Sequence, residues 1–507
     1  MPPQSFADLS IVVPAKPVGH RLRSLSAALV VLSAIAFSAP ATNARAGDIP
    51  TDYEAETARF RTALDDLAGW CRQKQLVAEE KRVATWLPTR AADKSYFFLV
   101  DSKPEDESSL NAEFARLFRA LREEHAAQLF ALARRAAKEE EYSAAVKFVY
   151  ETLREQPLHA EALKLLGYQV VGRRRLSPYE LAKQRAGYVW HDQFGWLKEE
   201  HVKRYEGGER YLSGKWVTAA EDARIHATPA RPWVVDTENF RIETNHSLEE
   251  GVRLAARLEK MTQVWRQLFA RYHTSEAEWK RLFEGGAPRR DPSKKPYVVV
   301  YFRTRDEYVA ALVKQEPMVG ITTGIFMNAK DTAYFYAAAD QNNDPILFHE
   351  TTHQLFALTK RTLNVGVKGN FWIVEGIACQ MESLVLHDHF AELGGSDNPR
   401  MNAARYRLLE TKFYVPLVEF TALGRDQMQK DPRLPMLYSQ ASGLASFLMY
   451  GENGKYREAT VDYLDAIYTN KDNPLTLTQR TGRSFEQLDA DYQRYIKALP
   501  APAPKAN

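Results

Sequence analysis

Cysteine is nearly missing from this chain: Cys71 and Cys379 are the only two in 507 residues. Two such distant cysteines exclude a disulfide framework of the kind that holds small secreted domains together. A single bridge between them stays open on sequence grounds, although Cys379 lies in an apolar helical pattern where a free thiol acts as a small core residue. Long apolar runs are missing too. The most extended, Leu25–Phe37, has 13 residues, short of the roughly 20 that span a bilayer, and nothing later in the chain is apolar enough. The third shortage is of charge of one sign. Lys16, Arg21, Arg23 and Arg45 against Asp8 account for the whole formal net charge of +3, so the chain beyond residue 46 is formally neutral. That argues against nucleic acid or an anionic membrane as the main partner, since either needs a concentrated basic face.

The segment holding those charges reads as a secretory signal over residues 1–46. A basic edge at His20–Arg23 precedes the apolar run, and Ala44-Arg45-Ala46 is a small-x-small cleavage site that would start the mature chain at Gly47. The expectation is an exported protein, periplasmic or extracellular, with no transmembrane span in the mature chain. The long leader ahead of the apolar run leaves an uncleaved N-terminal anchor as the alternative. No cysteine follows directly on the run, which disfavours a lipoprotein anchor.

A length of 507 residues and a balance of 45% hydrophobic and 26% charged residues fit a soluble globular chain of two or three domains. Residues 47–185 are dominated by Ala, Leu and charge, and Leu117, Leu121, Leu129 and Leu132 fit a helical stripe, which predicts an all-α domain. Ala131–Gly167 resembles a tetratricopeptide repeat, with Ala133, Ala145 and Pro157 in place and Leu166-Gly167 where the next unit would begin. A plain helical bundle is the alternative. Residues 186–230 read as a connector of short strands and turns pinned by Trp190, Trp196 and Trp216. Residues 231–500 predict strands at Trp233–Val235, Phe240–Thr244 and Val298–Phe302, a helix at Leu248–Tyr272 and a hairpin within Gly320–Ala339, then further helices. Residues 501–507 read as a disordered tail.

The sharpest feature is His349-Glu350-Thr351-Thr352-His353. On a helix, positions i and i+4 share a face, so both imidazoles can reach one ion, and zinc favours such nitrogens. Glu350 then lies beside that face, where it can take the proton of a metal-activated water. Asp344 and Pro345 fit the cap and first turn of such a helix. A catalytic zinc site needs a third protein ligand, and Trp372-Ile373-Val374-Glu375-Gly376-Ile377-Ala378 offers Glu375, with Glu382 seven residues further on. The small Gly376 and Ala378 would let two helices approach across the metal.

Together the two segments, His349–Glu382, resemble the gluzincin zinc metallopeptidases, and the arrangement behind an exported helical-repeat segment resembles the peptidase-MA-like group. A looser resemblance covers residues 231–500. It implies an α+β fold: a zincin-like metallopeptidase domain of a small mixed sheet plus helices, preceded by the all-α tetratricopeptide-like domain. It implies Zn2+ on His349, His353 and Glu375, Glu350 as general base, and Glu382 orienting a ligand from behind. Tyr438 resembles the family's tyrosine that steadies the oxyanion; a buried tyrosine with a satisfied hydroxyl is the plainer reading. The chain lacks the Gly-x-Met-Glu-Asn segment of aminopeptidases and has Cys379 where thermolysin-like enzymes carry an Asp. Phe356 and Thr359 stand where a metzincin needs Gly and His.

The implied substrate is a peptide or protein, held as an added strand on the Gly320–Ala339 hairpin, with a further protein partner at the helical domain. The hairpin is equally readable as structural. His387 and His389 are further ligand candidates, read mainly as a solvated helix end, and His246 as a turn or cap residue. Two other functions fit the same residues: a catalytically silent interaction module, and a zinc amidase acting on a cell-wall linkage.

Overall fold

The computed structural model describes residues 48–91, 93–100, 109–289, 295–338, 342–395 and 398–500. The signal-segment expectation for 1–46 and the tail at 501–507 lie outside the described residues. Gly47–Asn507 packs as one compact unit of mixed α and β structure. Among the described residues no helix is long and apolar enough to cross a membrane.

A five-stranded sheet forms the frame. Its order is Gly324–Met327, Thr332–Tyr336, Tyr297–Phe302, Phe240–Thr244 and Trp233–Asp236. The two inner pairings are parallel and the two outer ones antiparallel. The parallel pair Phe240–Thr244 and Tyr297–Phe302 needs a crossover, and helix Leu248–Leu268, capped by Ser247 on the Glu250 amide, begins it. Alternation along Phe240–Thr244 sends Phe240, Ile242 and Thr244 inward. They meet Leu254, Leu258 and Trp265 from the crossover helix, and Leu347, Phe348 and Leu355 from helix Asp344–Lys360, in one core.

The hairpin turns through Asn328–Lys330 and Asp331, which adopts φ +55. Helix Asp344–Lys360 follows this hairpin and packs on it. Its N-terminus differs from the sequence expectation. Asn343 takes the cap position, Pro345 sits in the first turn, and Asp344 is already helical. The Asp344 amide donates to the Asn342 side chain at 3.0 Å, and its carboxylate pairs with Arg257 at 2.8 Å.

The all-α expectation for 47–185 is corrected. Helices Ile49–Gln73, Ala112–Lys138 and Tyr142–Glu155 are present, but Lys94–Phe98 is a strand paired antiparallel with Phe390–Gly394, far away in the chain. The run Tyr96–Val100 is buried and apolar, which suits an extended segment with a partner better than an amphipathic helix. The repeat pattern also stops short. After the pair ending at Lys138 and Glu155, Ala160–Leu166 ends at Gly167 in the left-handed region (φ +80), and a β-hairpin follows.

That hairpin opens a tandem array unseen in the sequence reading. Gln169–Val171/Arg174–Leu176 leads into helix Pro178–Arg185. Tyr188–His191/Gly195–Lys198 leads into helical residues 199–206, and Glu209–Leu212/Lys215–Thr218 into helix Ala219–Ile225. The connector is thus two hairpin–helix units continuing one that begins before it. Gly167-Tyr168 and Gly187-Tyr188, then Trp196 and Trp216 on the second strands, mark the recurrence.

Candidate metal centre

His349 and His353 lie one turn apart on helix Asp344–Lys360, as their spacing requires. Glu375 and Glu382 lie two turns apart, on and at the end of helix Phe371–Met381, and so face the same way. That second helix starts from Asn370, held at φ +58. Its buried side chain donates to Asp472 and accepts from the Tyr463 hydroxyl, at 2.7 and 2.6 Å.

The two helices bring three ligand atoms together. His349 Nε2 and His353 Nε2 are 3.2 Å apart, and Glu375 Oε2 lies 3.4 Å from the first and 3.7 Å from the second. Ligand atoms of a tetrahedral zinc at its usual bond lengths are separated by about 3.3–3.4 Å. The donor set therefore fits zinc in size as well as in chemistry. The two imidazole planes stand at 78°, which points one nitrogen of each at a shared place rather than stacking the rings.

The other face of His349 is equally built. Its Nδ1 lies 2.8 Å from Glu382 Oε1. An ionised carboxylate only accepts, so Nδ1 carries the hydrogen and donates, leaving the Nε2 lone pair toward His353 and Glu375. Arg400, at the start of helix Pro399–Leu409, donates from Nε and Nη2 to the two Glu382 oxygens, both at 2.8 Å. Cys379, one turn after Glu375, is buried and free, and its thiol lies close to His349.

His349, Cys379 and Glu382 form a second close cluster. There the fork of Arg400 already places a cation on both Glu382 oxygens, so that cluster is a support rather than a second ion site. Burial alone would lift the Glu375 carboxyl, yet the neighbouring imidazoles of His353 and His349 hold it well below the usual carboxylate range. Burial also works against an ionised Glu382, and hydrogen bonds from His349 and Arg400 overcome it. A buried anion beside two imidazole nitrogens is what a cation there requires.

Glu350 follows His349 on the same helix and lies beside the face that carries the two histidines. Its Oε2 accepts the Phe326 N–H at 2.8 Å, from the edge strand Gly324–Met327. Its Oε1 has no protein partner among the described residues. Tyr438, in the second turn of helix Leu434–Tyr450, has its phenol beside Glu375. Burial, followed by the Glu375 charge, pushes that phenol far above its ordinary value, so it stays a neutral donor.

The small-residue expectation is corrected in its partner. Gly376 lets helix Phe371–Met381 approach helix Leu434–Tyr450 rather than the metal helix. A Cβ there would lie 2.5 Å from the Ala441 carbonyl oxygen. The close approach therefore positions Tyr438.

The sequence candidates His349, Glu350, His353, Glu375, Glu382 and Tyr438 thus meet in one place. His387 does not join them. It lies between strands Val385–Leu386 and Phe390–Gly394, not at a helix end, bonded to Glu392 at 3.1 Å and stacked on Phe390. His246 sits in the turn before Ser247, its amide bonded to Thr244. Sequence reasoning missed Arg400, the Cys379 contact and the Phe326 amide; none has a spacing signal, since each arrives through tertiary closure. No protein-family model matches the chain, and no curated protein does.

Proposed function

We propose that this chain is a zinc-dependent peptidase of the gluzincin kind. The observation that carries the reading is the triangle of His349 Nε2, His353 Nε2 and Glu375 Oε2, with edges of 3.2, 3.4 and 3.7 Å, beside the Glu350 carboxylate. His349, His353 and Glu375 would hold the ion. When bound, zinc supplies Lewis acidity that makes a water easy to deprotonate and a carbonyl easy to attack. Glu350, with one oxygen held by Phe326 and the other unpartnered, accepts the proton of the attacking water and returns it to the leaving nitrogen. The Tyr438 hydroxyl is a neutral donor suited to the oxyanion of the tetrahedral intermediate. The edge strand Gly324–Met327 offers an extended peptide a pairing partner.

Two measurements test this. Elemental analysis should find close to one zinc per wild-type chain and little in His353→Ala. Glu350→Gln should keep the zinc and lose hydrolysis of a mixed peptide library. A wild type that binds no zinc after reconstitution, or hydrolysis that survives Glu350→Gln, refutes the proposal.

A further inference from the structure

The 3-10 turn Pro317–Ile321 runs through Thr322 and Thr323 into the edge strand Gly324–Met327. It carries two of the most exposed large apolar side chains among the described residues, Met318 at 60% and Ile321 at 79%. In such a turn residues i and i+3 stand on one side, so the two form a single apolar face. The turn that holds them is pinned from below. Val319 is fully buried, in a small core with Phe302, Tyr308 and Leu312. The Thr322 hydroxyl donates to the Val319 carbonyl at 3.0 Å, so the Tyr308 hydroxyl donates to Thr322 Oγ1, at 2.6 Å. The Glu316 side chain accepts the Met318 N–H at 3.3 Å, and Arg305 donates to the Gly320 carbonyl. Met318 and Ile321 are therefore held out by a braced platform. Single exposed apolar side chains are ordinary, but a paired and braced set marks a contact surface.

The strand into which the turn runs indicates what covers this face. The Phe326 N–H points away from its partner strand to reach Glu350, so the alternate residue Gly324 also turns its N–H and C=O outward. A peptide pairing on that edge lies along Gly324–Met327 with its reacting bond near Glu350. Antiparallel pairing is the more stable arrangement, and it carries the C-terminal side of the peptide past Gly324 toward Ile321. Ile321 lies three positions before Gly324 in the chain, a reach of at most about 11 Å, or about three residues of an extended peptide. We propose that Met318 and Ile321 form a specificity face of the same site, taking an apolar side chain of the substrate about two to four residues beyond the scissile bond on its C-terminal side. The inference rests on the peptidase reading for the chemistry, and on the edge strand alone for the binding.

Cleavage and binding are measured separately on the full chain. With zinc bound, cleavage-site profiling of a mixed peptide library should show Leu, Ile, Met and Phe enriched at one position in that window. Met318→Ser combined with Ile321→Ser should lose the enrichment. It should raise KM about tenfold or more for a peptide with Leu at that position and not for its Ser counterpart, the scale of leaving such a side chain in water. Both side chains are exposed, so the melting temperature should not move. Binding is read by fluorescence anisotropy on Glu350→Gln, with labelled Ser/Thr decapeptides that carry one Leu at successive positions. One Leu position should bind about tenfold more tightly than the peptide without Leu, and the double substitution should abolish the difference. A wild type that hydrolyses nothing refutes the peptidase reading and leaves the decapeptides to decide this one. Hydrolysis with no enriched position, an enrichment that survives in the folded double variant, or equal binding of all decapeptides overturns the specificity face. So does self-association of the chain that the double variant abolishes with its cleavage profile unchanged, since a second copy would then cover the face.

Discussion

The Nδ1 nitrogen of His349 fixes the ring that offers Nε2 to the proposed metal site, and it depends on Glu382, which depends in turn on Arg400. Partners of this kind typically change metal affinity by about 10–100-fold when removed. Arg400→Ala should therefore weaken zinc binding by about that factor in a chelator competition, with the fold intact by circular dichroism. Arg400→Lys keeps the charge and loses the two-pronged geometry, so it should recover only part of the affinity. Equal affinity in wild type and Arg400→Ala would show that Glu382 holds the imidazole unaided. Tyr438 can be tested more sharply, because its hydroxyl has two candidate roles. If it steadies the oxyanion, Tyr438→Phe should lower kcat by about 10²–10³ with zinc retained. If it only holds Glu375, zinc affinity should fall and kcat of the loaded enzyme should not. At this scale the sequence was informative wherever spacing along one helix sets geometry, as for His349 with His353 and Glu375 with Glu382. Arg400 carried no such signal, since nothing in the chain before it indicates that helix Pro399–Leu409 returns to Glu382.

At the scale of elements, helix against helix decides the site. Gly376 meets the backbone of helix Leu434–Tyr450 so closely that an added methyl has nowhere to go. Gly376→Ala should cost about 1–3 kcal/mol, as overpacking does, and should move Tyr438 away from Glu375. Urea unfolding measures the first effect, and a loss of activity exceeding the loss of zinc measures the second. A stability equal to wild type would mean that the two helices slide apart freely. A second contact between elements is titratable. Glu56 on helix Ile49–Gln73 lies 2.7 Å from His125 on helix Ala112–Lys138 and also pairs with Arg59. Burial raises its carboxyl, but the hydrogen bonds from His125 and Arg59 win and hold it below its ordinary 4.5. A depressed carboxyl binds its proton less readily when folded than when unfolded. Its stabilisation is therefore complete above the unfolded value and is lost as pH falls through the folded one. Melting temperatures of wild type and Glu56→Gln should differ at pH 6 and converge as the pH falls below the ordinary 4.5. A gap that persists unchanged as the pH falls would count against the pairing. The longer elements here were legible because their apolar periodicity runs over many residues. The hairpin–helix units were not, since strands such as Gln169–Val171 have three residues and show almost no period.

For the molecule as a whole, the divisions at residues 185 and 230 expected from composition do not coincide with gaps in the packing. The strand Lys94–Phe98 joins the sheet of Phe390–Gly394, and the chain just beyond it is tied to the crossover helix. The Val100 amide donates to Gln263 at 2.7 Å, and the Gln267 side chain donates to the Phe98 carbonyl at 3.0 Å. Phe97 and Leu99 belong to the same core as Trp265 and Trp372. Ser143, at the start of helix Tyr142–Glu155, bonds both Glu458 and the Leu268 carbonyl, at 2.9 and 3.0 Å. Composition could not reveal these ties, because a helix-rich segment has the same residue content whether it folds alone or against a distant sheet. Residues 231–500 expressed alone would lose one of the two partners of strand Phe390–Gly394, strip Gln263 and Gln267 of their bonds to Val100 and Phe98, and expose Ala270, Trp279 and Leu282, which sit in the helical core. That fragment should be insoluble or lack a cooperative transition, whereas the full chain should melt in one calorimetric transition with matching van't Hoff and calorimetric enthalpies. A soluble 231–500 fragment that melts cooperatively and binds zinc as tightly as the full chain would show that the helical segment is an appendage. A single transition would show instead that it is part of the scaffold that aligns His349, His353 and Glu375.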